Sequence, residues 1–544
     1  MAGLSAKGQT AQPAGESHTR SLNAHFLQPP DTTFGLTGNG VTLYQWEAPS
    51  SSNPFQAFAD SGITALQGRL IPVTDSVIIS GHATEMALIM AGDSPDSAKA
   101  GLAPKAVIRN YRLGSFSDSA ATLAAGNMRL ALHAYAENFG WNSNFWFGLE
   151  EIDSTEDYNW GRYTRDTRFW DSLAFAFPFY LPVRSAGNSR GESNSGTHQI
   201  FQSVNNSTTN FIEVSSSTVR EPDGGSDGLD CLPPISTAKN ALVVGAANLL
   251  PQGWQDSSSV IARPGSAYGP PDDGRIKPDV VAGGEKTSQS AAALAGALAL
   301  LSESFFTKTG QWPLSSTLRA LVINSTLEAG PHPGPDYRFG FGLPDIRQAA
   351  QALQKQQFYE DTLHSGDTLR YYFYATANDI KCSLAWTDPA ATPVPFALDA
   401  SLLDNPAPML VNDIDMRLRI LDSVDATLPW RLAVTNPQAA AARADNAVDN
   451  LEKIEGTFSS GQWLVLTVTH KGSLQGGSQP LSMAYQGAEP AMLYENGKWK
   501  GGQPGATTGR YHALIRENSQ VTIPPGFQLQ SLIIKRGADV TIGP

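Results

Sequence analysis

Short apolar runs alternate with longer helical patterns between about residues 38 and 350. Four runs are rich in β-branched and aromatic residues and are predicted to be buried strands: GVTLYQW, AVIRNYRL, FYLPVRSAG and ALVVGAAN. Three segments between them are predicted to be helices: HATEMALIMAG, AATLAAGNMRLALHAYAENFG and SQSAAALAGALALLSESFF. Strands that alternate with helices favour an α/β fold, in which a parallel sheet carries helices on both faces.

After residue 355 the helical periodicity disappears. Short strand-like segments separated by turn residues follow, among them TLRYYFYATA, CSLAWTD, DMRLRILD and QWLVLTVTHKG, which is typical of an all-β sandwich. A last piece with short β-like runs stops after VTIGP. We therefore predict a flexible N-terminal leader at 1–37, the α/β domain at 38–355, a β-sandwich at 356–488 and a small, truncated β module at 489–544.

The third helical segment has an unusually polar start. Its residues from Ala291 to Leu301 are only Ala, Leu and Gly, and a helix that is apolar all round lies in a large core or in a membrane. The residues from Lys286 to Ser290 are all polar. One interpretation is helix capping, because Ser and Thr oxygens accept hydrogen bonds from free amides at a helix N-terminus. The other is that Ser288 is a nucleophile at the positive end of the helix.

Three other polar residues stand at the edges of predicted elements. Glu47 follows the first strand, His82 opens the first helix, and Asn188 follows the strand FYLPVRSAG. Taken singly, each has an ordinary structural interpretation: a solvated carboxylate, a surface or capping histidine, and a turn asparagine. Functional residues of parallel sheets gather at the carboxyl ends of the strands, so these side chains are also candidates for a site.

Together with Ser288, these residues supply a carboxylate, a base, an amide donor and a nucleophile. Acyl transfer needs these parts, because a base takes the Ser proton, a carboxylate holds the imidazole tautomer and a donor binds the oxyanion. The order of acid, His and Ser along a parallel α/β sheet is that of one known type of serine peptidase. The sequence therefore predicts an acyl-transfer site.

The blocks around these residues resemble those of the subtilisin-like serine peptidases (subtilases). GHATEMALIMAG is similar to the family's Gly-His-Gly-Thr-His-Val-Ala-Gly block, SAGNSRG to Ala-Ala-Gly-Asn, and KTSQSAAALAG to Gly-Thr-Ser-Met-Ala-x-Pro-x-Val-Ala-Gly. The segments TAKNALVVGAAN, DDGRIKPDVVAGG and GPDYRFGFGLPDIRQAA are similar to further landmarks of the family. The resemblance implies a subtilisin-like fold, with His82 as the catalytic histidine, Asn188 as the oxyanion donor and Ser288 as the nucleophile.

The first strand departs from the family pattern at its end. GVTLYQWEAP is similar to Val-x-Val-x-Asp-(Ser/Thr)-Gly, so Glu47 stands where Asp is expected. The resemblance implies that Glu47 is the triad acid. Its carboxylate must then reach His82 Nδ1 at about 2.6–3.2 Å.

The other blocks depart from the pattern as well. Ala83 and Glu85 replace Gly and His in the histidine block, Lys286 replaces the Gly before Thr-Ser, and Ala292 replaces the Pro. The family has a longer segment before its Thr-Ser, whereas only nine positions separate Asp279 from the serine here. These changes support an alternative hypothesis, in which the protein has the same fold but is catalytically weak or inactive and serves binding or assembly.

The features together predict a serine endopeptidase that hydrolyses protein or peptide substrates through a Ser-His-Glu triad and an Asn oxyanion hole. An esterase or amidase that uses the same triad is a further option. The β module, with SLAWTDP, MLVNDIDMRLR, NAVDN and VTHKG, resembles the sandwich that follows the catalytic domain in a secreted bacterial branch of subtilases. A secreted or cell-surface location is therefore expected, although MAGLSAKGQTAQPAGESHTR lacks the apolar core of a signal peptide.

Composition narrows the classes of partner. The net charge is −13 without a long basic run, which argues against a nucleic-acid partner. No apolar run reaches the roughly 18 residues that span a membrane. The chain has two cysteines, Cys231 and Cys382, which argues against a disulfide framework but leaves a single bridge open.

The predicted chemistry needs no cofactor. Two groups of acidic residues are candidate ligands for a structural Ca²⁺ ion. The loop EPDGGSDGLD supplies Asp223, Asp227 and Asp230, and VNDID in the β module supplies Asp413 and Asp415. Carboxylates in loops are the hard oxygen ligands that Ca²⁺ takes, and the resemblance to subtilases implies calcium binding. The alternative is that these are solvated turn acids.

Overall fold

The structure of the protein is a computed structural model that describes residues 16–30, 33–47, 66, 68–72, 81–94, 100–112, 128–135, 145–146, 159–191, 197–205, 207, 210–217, 228–395, 402–501, 511–524 and 528–542. The helices within these ranges are α1 (Glu16–Ser21), α2 (Gly81–Ala91), α3 (Arg165–Ala176), α4 (Thr287–Thr309), α5 (Ser315–Asn324) and α6 (Ile346–Gln354), with 3-10 turns at Ala24–Phe26, Pro234–Thr237 and Ser257–Ser259. The strands of the α/β region are β1 (Thr42–Glu47), β2 (Leu70–Pro72), β3 (Val107–Arg112), β4 (Leu130–His133), β5 (Phe145–Trp146), β6 (Leu181–Ser185), β7 (His198–Ser203), β8 (Phe211–Ser216), β9 (Leu242–Ala247), β10 (Val280–Gly283), β11 (Thr326–Leu327) and β12 (Leu343–Pro344).

One parallel sheet organises the α/β region. Within the described ranges it has seven strands in the order β10-β9-β6-β4-β1-β3-β2, and every neighbouring pair is parallel. The carboxyl ends of β1, β6 and β10 therefore lie at the same edge. Glu47 is the last residue of β1, and β6 and β10 precede Asn188 and Ser288.

Helices cover both faces of this sheet, because alternate residues of a strand point to opposite faces. On one face, Leu130 and Leu132 of β4 pack with apolar side chains of α2 and α4. On the other face, Ala131 packs with Trp170 and Leu173 of α3. The predicted α/β architecture is confirmed, and α2, α4, β1, β3, β6 and β9 lie where the sequence predicts them.

The prediction of a helix in AATLAAGNMRLALHAYAENFG is wrong at the centre of this segment. Leu130–His133 is the strand β4, and all four of its residues are buried. A short apolar run that is buried on both faces suits a helix or a central parallel strand, so periodicity does not separate the two. Residues 120–127 and 136–140 of this segment lie outside the described ranges.

Helix α4 is the long apolar helix of the core. It is long and apolar enough to cross a membrane, but 83% of its most apolar 18-residue stretch is buried inside the protein. It packs against α2, α6 and the strands β1, β4, β6, β9 and β10. The apolar surface of α4 is therefore covered by other elements of the protein core.

The sequence predicts a flexible leader at 1–37. The structure shows instead that part of this segment is packed. Leu22, Ala24 and Leu27 are fully buried. His18 Nδ1 lies 3.0 Å from the Gly283 carbonyl oxygen, and Ser21 Oγ accepts a hydrogen bond from the backbone of the α/β domain at 2.7 Å. The described part of the segment, from residue 16, is thus packed onto the α/β domain, because its apolar and polar side chains both find partners there.

The C-terminal region is all β. Its strands are β13 (Phe358–His364), β14 (Leu369–Ala375), β15 (Asp379–Trp386), β16 (Ile414–Ile420), β17 (Trp430–Arg431), β18 (Ala442–Arg443), β19 (Leu451–Thr457), β20 (Trp463–His470), β21 (Ser478–Gln486), β22 (Ala488–Glu495), β23 (Lys498–Lys500), β24 (His512–Ile515), β25 (Gln520–Ile523), β26 (Ser531–Ile534) and β27 (Asp539–Ile542). One sheet has the order β13-β21-β15-β19 and the other the order β16-β20-β14-β22-β24-β26. Apolar side chains of both sheets share one core, which contains the free thiol of Cys382; Cys231 is also free, so the two do not form a bridge.

The last strands extend the sandwich sheet. The predicted module boundary at 488/489 falls in β22, which pairs antiparallel with β14 and parallel with β24. A polar chain runs across these strands: His512 Nε2 lies 2.8 Å from Glu489 Oε2, and its Nδ1 lies 2.6 Å from Ser531 Oγ. The described part of the predicted module is therefore joined to the sandwich by hydrogen bonds.

A buried ion pair joins the α/β domain to the sandwich. Lys239 of the first domain and Asp388 of the second form a salt bridge in which both side chains are fully buried. The Lys239 ammonium also donates to the carbonyl oxygens of Pro389 and Met409, both at 2.7 Å. Asn240 adds a hydrogen bond from its side-chain amide to the Asp388 carbonyl at 2.8 Å. The two domains are thus held in one arrangement by groups that water cannot replace.

We predict that Lys239→Met destabilises the protein far more than a surface lysine substitution. The Asp388 carboxylate would stay buried without its cation, which costs about 3–5 kcal/mol in the free energy of unfolding. Urea denaturation followed by circular dichroism measures this loss. The matched control is Lys105→Met, whose exposed pair with Asp93 is worth only about 0–1 kcal/mol. Equal effects of the two substitutions would contradict the structural role of the interface pair.

Candidate active site

Glu47 and His82 meet at the carboxyl edge of the parallel sheet. Glu47 ends β1 directly after the fully buried Trp46 and is itself buried. His82 is the second residue of α2. Glu47 Oε2 lies 2.9 Å from His82 Nδ1, which is the hydrogen bond that the resemblance implied. Gln45 of the same strand donates from Nε2 to the Ala83 carbonyl oxygen at 2.9 Å, so the first turn of α2 is fixed to β1 by two bonds.

The electrostatics of this pair depend on burial. Burial raises the pKa of Glu47, while the hydrogen bond and the charge of His82 oppose that rise. Glu47 Oε1 is buried and has no hydrogen-bond partner among the described residues. Burial lowers the pKa of His82, but the hydrogen bond and charge of Glu47, together with the charge of Glu85, outweigh it, so the pKa lies above its ordinary value. The imidazolium form of His82 is therefore stabilised by a carboxylate that water does not screen.

Ser288 lies at the positive end of α4. The helix begins at Thr287, and its N-cap residue Lys286 makes no side-chain capping bond. Ser288 is the second helical residue and is 2% exposed, so it is not the cap that the alternative interpretation required. Ser290 Oγ donates to the Ala282 carbonyl oxygen at 2.8 Å and fixes the start of the helix to β10. The serine hydroxyl is thus held where the helix dipole favours negative charge.

Asn188 lies beside the start of the same helix. It follows β6, and its Oδ1 accepts a hydrogen bond from the Thr287 backbone N–H at 2.9 Å. Thr287 Oγ1 lies 3.1 Å from the same oxygen. These bonds fix the amide oxygen of Asn188 to the start of α4, and within the described ranges the amide nitrogen Nδ2 makes no protein hydrogen bond. Asn188 therefore offers a free donor next to the residue that precedes Ser288.

The structure brings the four predicted residues to one edge but does not join all of them. Ser288 Oγ makes no hydrogen bond to His82 or to any other described residue. The two halves of the site are connected instead through their helices, because Gln289 Nε2 donates to Glu85 Oε1 at 2.7 Å. The Gln289–Glu85 bond was not foreseen from the sequence, which marked Glu85 only as a departure from the family pattern.

The predicted calcium ligands fall into three groups. Asp223 and Asp227 lie outside the described residues. Asp413 and Asp415 already contact cations: Lys471 Nζ lies 3.1 Å from Asp413 and 3.2 Å from Asp415, and Arg417 Nη2 lies 2.9 Å from Asp415. These cations disfavour Ca²⁺ there, because they already neutralise the carboxylates.

Asp230 lies in a different environment. Carboxylate oxygens of Asp230, Asp272 and Asp404 lie within 4.8 Å of one another. Burial and the charge of Asp404 raise the pKa of Asp272 well above its ordinary value. Oxygen ligands of this kind fit Ca²⁺, and calcium at this loop stays a prediction.

Comparisons with known proteins agree with the resemblance in the sequence. A model of the subtilase family matches residues 74–342, a range that contains His82, Asn188 and Ser288 but not Glu47. A search of curated protein sequences gave no significant match.

Solved structures of proteases are similar over most of their own length. The self-cleaved protease domain of PatA is 16% identical over 59% of this chain and 98% of that chain, with a TM-score of 0.37. The prenylagaramide maturation protease PagA is 16% identical over 57% and 93%, with a TM-score of 0.37. A lanthipeptide protease is 13% identical over 63% and 97%, with a TM-score of 0.38. These distant similarities carry no argument, whereas the family model does: residues 74–342 of the chain belong to the subtilase family of peptidases.

Proposed function

We propose that the protein is a serine endopeptidase that uses Ser288, His82 and Glu47 as a catalytic triad and Asn188 as an oxyanion donor. The observation that carries the proposal is the 2.9 Å contact between Glu47 Oε2 and His82 Nδ1. A carboxylate at Nδ1 fixes the imidazole tautomer in which Nε2 is free to accept a proton. That tautomer is the one a serine nucleophile needs.

In the first chemical step, Ser288 Oγ attacks the scissile carbonyl carbon while its proton passes to His82 Nε2. The carbonyl π electrons move to the oxygen, and this oxyanion accepts hydrogen bonds from Asn188 Nδ2 and the Ser288 backbone N–H. The helix start of α4 adds a favourable field for the negative oxygen. The fixed Asn188 amide supports this role because its Oδ1 is already bonded to Thr287.

The second half of the reaction uses the proton held by His82. It passes to the leaving amine nitrogen as the C–N bond breaks, and an acyl group remains on Ser288. Water then attacks the acyl carbon while His82 Nε2 accepts a proton from it. That proton passes to Ser288 Oγ as the bond between Oγ and the acyl carbon breaks, so the acid product leaves and the Ser288 hydroxyl is restored. Glu47 stabilises the imidazolium at each stage and is not itself protonated.

Glutamate can serve as the triad acid here because the backbone is set for its longer side chain. The α/β-hydrolases give a precedent for a glutamate in this role. Trp46 buries the end of β1, and the Gln45 bond to the Ala83 carbonyl holds the first turn of α2 at the distance that Glu47 spans. A buried carboxylate without a partner would be costly, and His82 supplies that partner.

Protein or peptide chains are the proposed substrates, in keeping with the family. A secreted or cell-surface location is part of the proposal and is supported by the resemblance of the β-sandwich to that of exported subtilases. The absent Ser288–His82 hydrogen bond favours one alternative, an inactive member of the fold that serves binding. Catalytic hydrogen bonds that are long in a free enzyme often tighten when substrate binds, which is why the active enzyme remains our proposal.

We predict that Ser288→Ala abolishes hydrolysis of an unstructured protein such as casein and leaves the thermal unfolding midpoint unchanged. Loss of the nucleophile leaves only binding and oxyanion stabilisation. Release of acid-soluble peptides at fixed enzyme concentration measures the activity. Caseinolysis that persists in this variant would place the nucleophile elsewhere, with Ser531 beside His512 as the first residue to substitute. Complete inactivity of the wild-type protein would favour the binding alternative.

We also predict that Asn188→Ala lowers kcat by about 10²–10³-fold, since this is the usual loss for one oxyanion donor. KM for a peptide substrate should change little, because the oxyanion forms only after binding. Steady-state kinetics separates the two constants. The control variant Asn378→Ala removes an amide in the β-sandwich whose Oδ1 accepts from the Ser460 backbone N–H, and it should keep the wild-type kcat. A change confined to KM would make Asn188 a binding residue.

A further inference from the structure

The side chain of Gln289 bridges the two helices that carry His82 and Ser288. Gln289 is the residue after Ser288, and its Nε2 donates to Glu85 Oε1 at 2.7 Å. Glu85 lies on α2, one turn beyond His82. Both side chains are partly buried, so the bond is sheltered from water on part of its surface.

The orientation of the Gln289 amide is fixed by a second bond. Its Oε1 accepts from the Glu285 backbone N–H at 2.7 Å. A backbone N–H can only donate, so the amide oxygen must face Glu285 and the amide nitrogen must face Glu85. A glutamine at this position commonly satisfies an amide at a helix start, as in a capping box. Here the same side chain also reaches a carboxylate on another helix.

We propose that Glu85 and Gln289 form a positioning pair that sets the distance between the His82 imidazole and the Ser288 hydroxyl. The inference rests on the proposed function, because it assigns a role toward those two residues. Both positions depart from the family pattern, in which His and Met stand at the places of Glu85 and Gln289. The two departures are complementary, since one supplies an acceptor and the other a donor. Neither residue touches the reacting atoms in the proposed mechanism.

The carboxylate of Glu85 has a second effect, on the charge of His82. Among the described residues, the charged groups that act on His82 are Glu47 from β1, Glu85 from α2 and Lys286 from the start of α4. Glu47 and Glu85 raise the pKa of His82, whereas burial and the charge of Lys286 lower it. Removing the Glu85 charge therefore lowers the pKa of His82, and the neutral imidazole that acts as base persists to lower pH.

Two substitutions separate the hydrogen bond from the charge. Gln289→Met removes the donor and leaves the Glu85 charge in place, so we expect kcat to fall about tenfold, because a small misplacement of reacting groups is costly. The acid limb of kcat/KM should stay where it is. Glu85→Gln keeps an acceptor for Gln289 and removes the charge, so kcat on the alkaline plateau should stay near wild type. Its acid limb should move to lower pH by a few tenths of a unit to about one unit.

Gln348→Met is the matched control for the loss of a glutamine. Gln348 Nε2 donates to Asp345 Oδ2 at 2.9 Å at the start of α6, away from the site, and its loss should leave kcat and the pH profile unchanged. Wild-type kcat in Gln289→Met would overturn the positioning role. An unmoved acid limb in Glu85→Gln would overturn the charge effect.

A second measurement tests the effect of Glu85 on His82 without relying on enzymatic activity. The imidazole signal of His82 can be titrated by NMR in the Ser288→Ala protein and assigned by its loss in His82→Ala. Addition of Glu85→Gln should lower the titration midpoint by the same amount as the kinetic limb moves. If the wild-type protein is inactive but the His82 titration midpoint shifts, the proposed function is refuted and the effect of the Glu85 charge on His82 is confirmed. An active wild type without the shift would refute that effect alone.

Discussion

Helices α2 and α4, which carry His82 and Ser288, are in close contact at Gly296, and this contact limits how far the two helices can move apart. A Cβ atom at Gly296 would lie 2.9 Å from the Met90 carbonyl oxygen and 2.9 Å from Leu102 Cβ, which is closer than such atoms pack. The absent side chain thus permits the backbones to touch. Because the stretch of α4 from Ala291 to Leu301 is apolar all round and buried, the helix cannot shift without exposing apolar surface of the core. Its N-terminal turn, with Ser288, is fixed as a result.

Hydrogen bonds tie the elements that carry the predicted site residues to this framework. Gln45 holds the first turn of α2 to β1, and Thr287 holds the Asn188 amide to the start of α4. Gln289 then links the two helices across the site. Preorganisation of this kind lowers the reorganisation that a transition state would otherwise require. The buried Lys239–Asp388 pair supports the same framework from the sandwich side.

The sequence predicts those parts that depend on local pattern. His82 and Ser288 stand out because polar residues at helix starts interrupt strongly apolar segments, and the α/β order follows from alternating periods. The strand Leu130–His133 is not predicted, because an apolar run buried on both faces has no distinguishing period. The packed segment around Leu22 and the Glu85–Gln289 bond are also missed, since each depends on which distant elements become neighbours. Glu47 is assigned by family resemblance, and only the folded chain brings its carboxylate to His82.

We propose that Glu47 activates Ser288 through His82. The most direct test of this proposal is the rate at which a fluorophosphonate labels Ser288, with the modified residue identified by mass spectrometry, in the wild type and in Glu47→Gln. We expect labelling of wild-type Ser288 and a rate about 10³–10⁴-fold lower in Glu47→Gln, because an amide favours the wrong imidazole tautomer. Labelling of Ser288 at the wild-type rate in Glu47→Gln, with an unchanged thermal unfolding midpoint, would show that Glu47 does not activate Ser288.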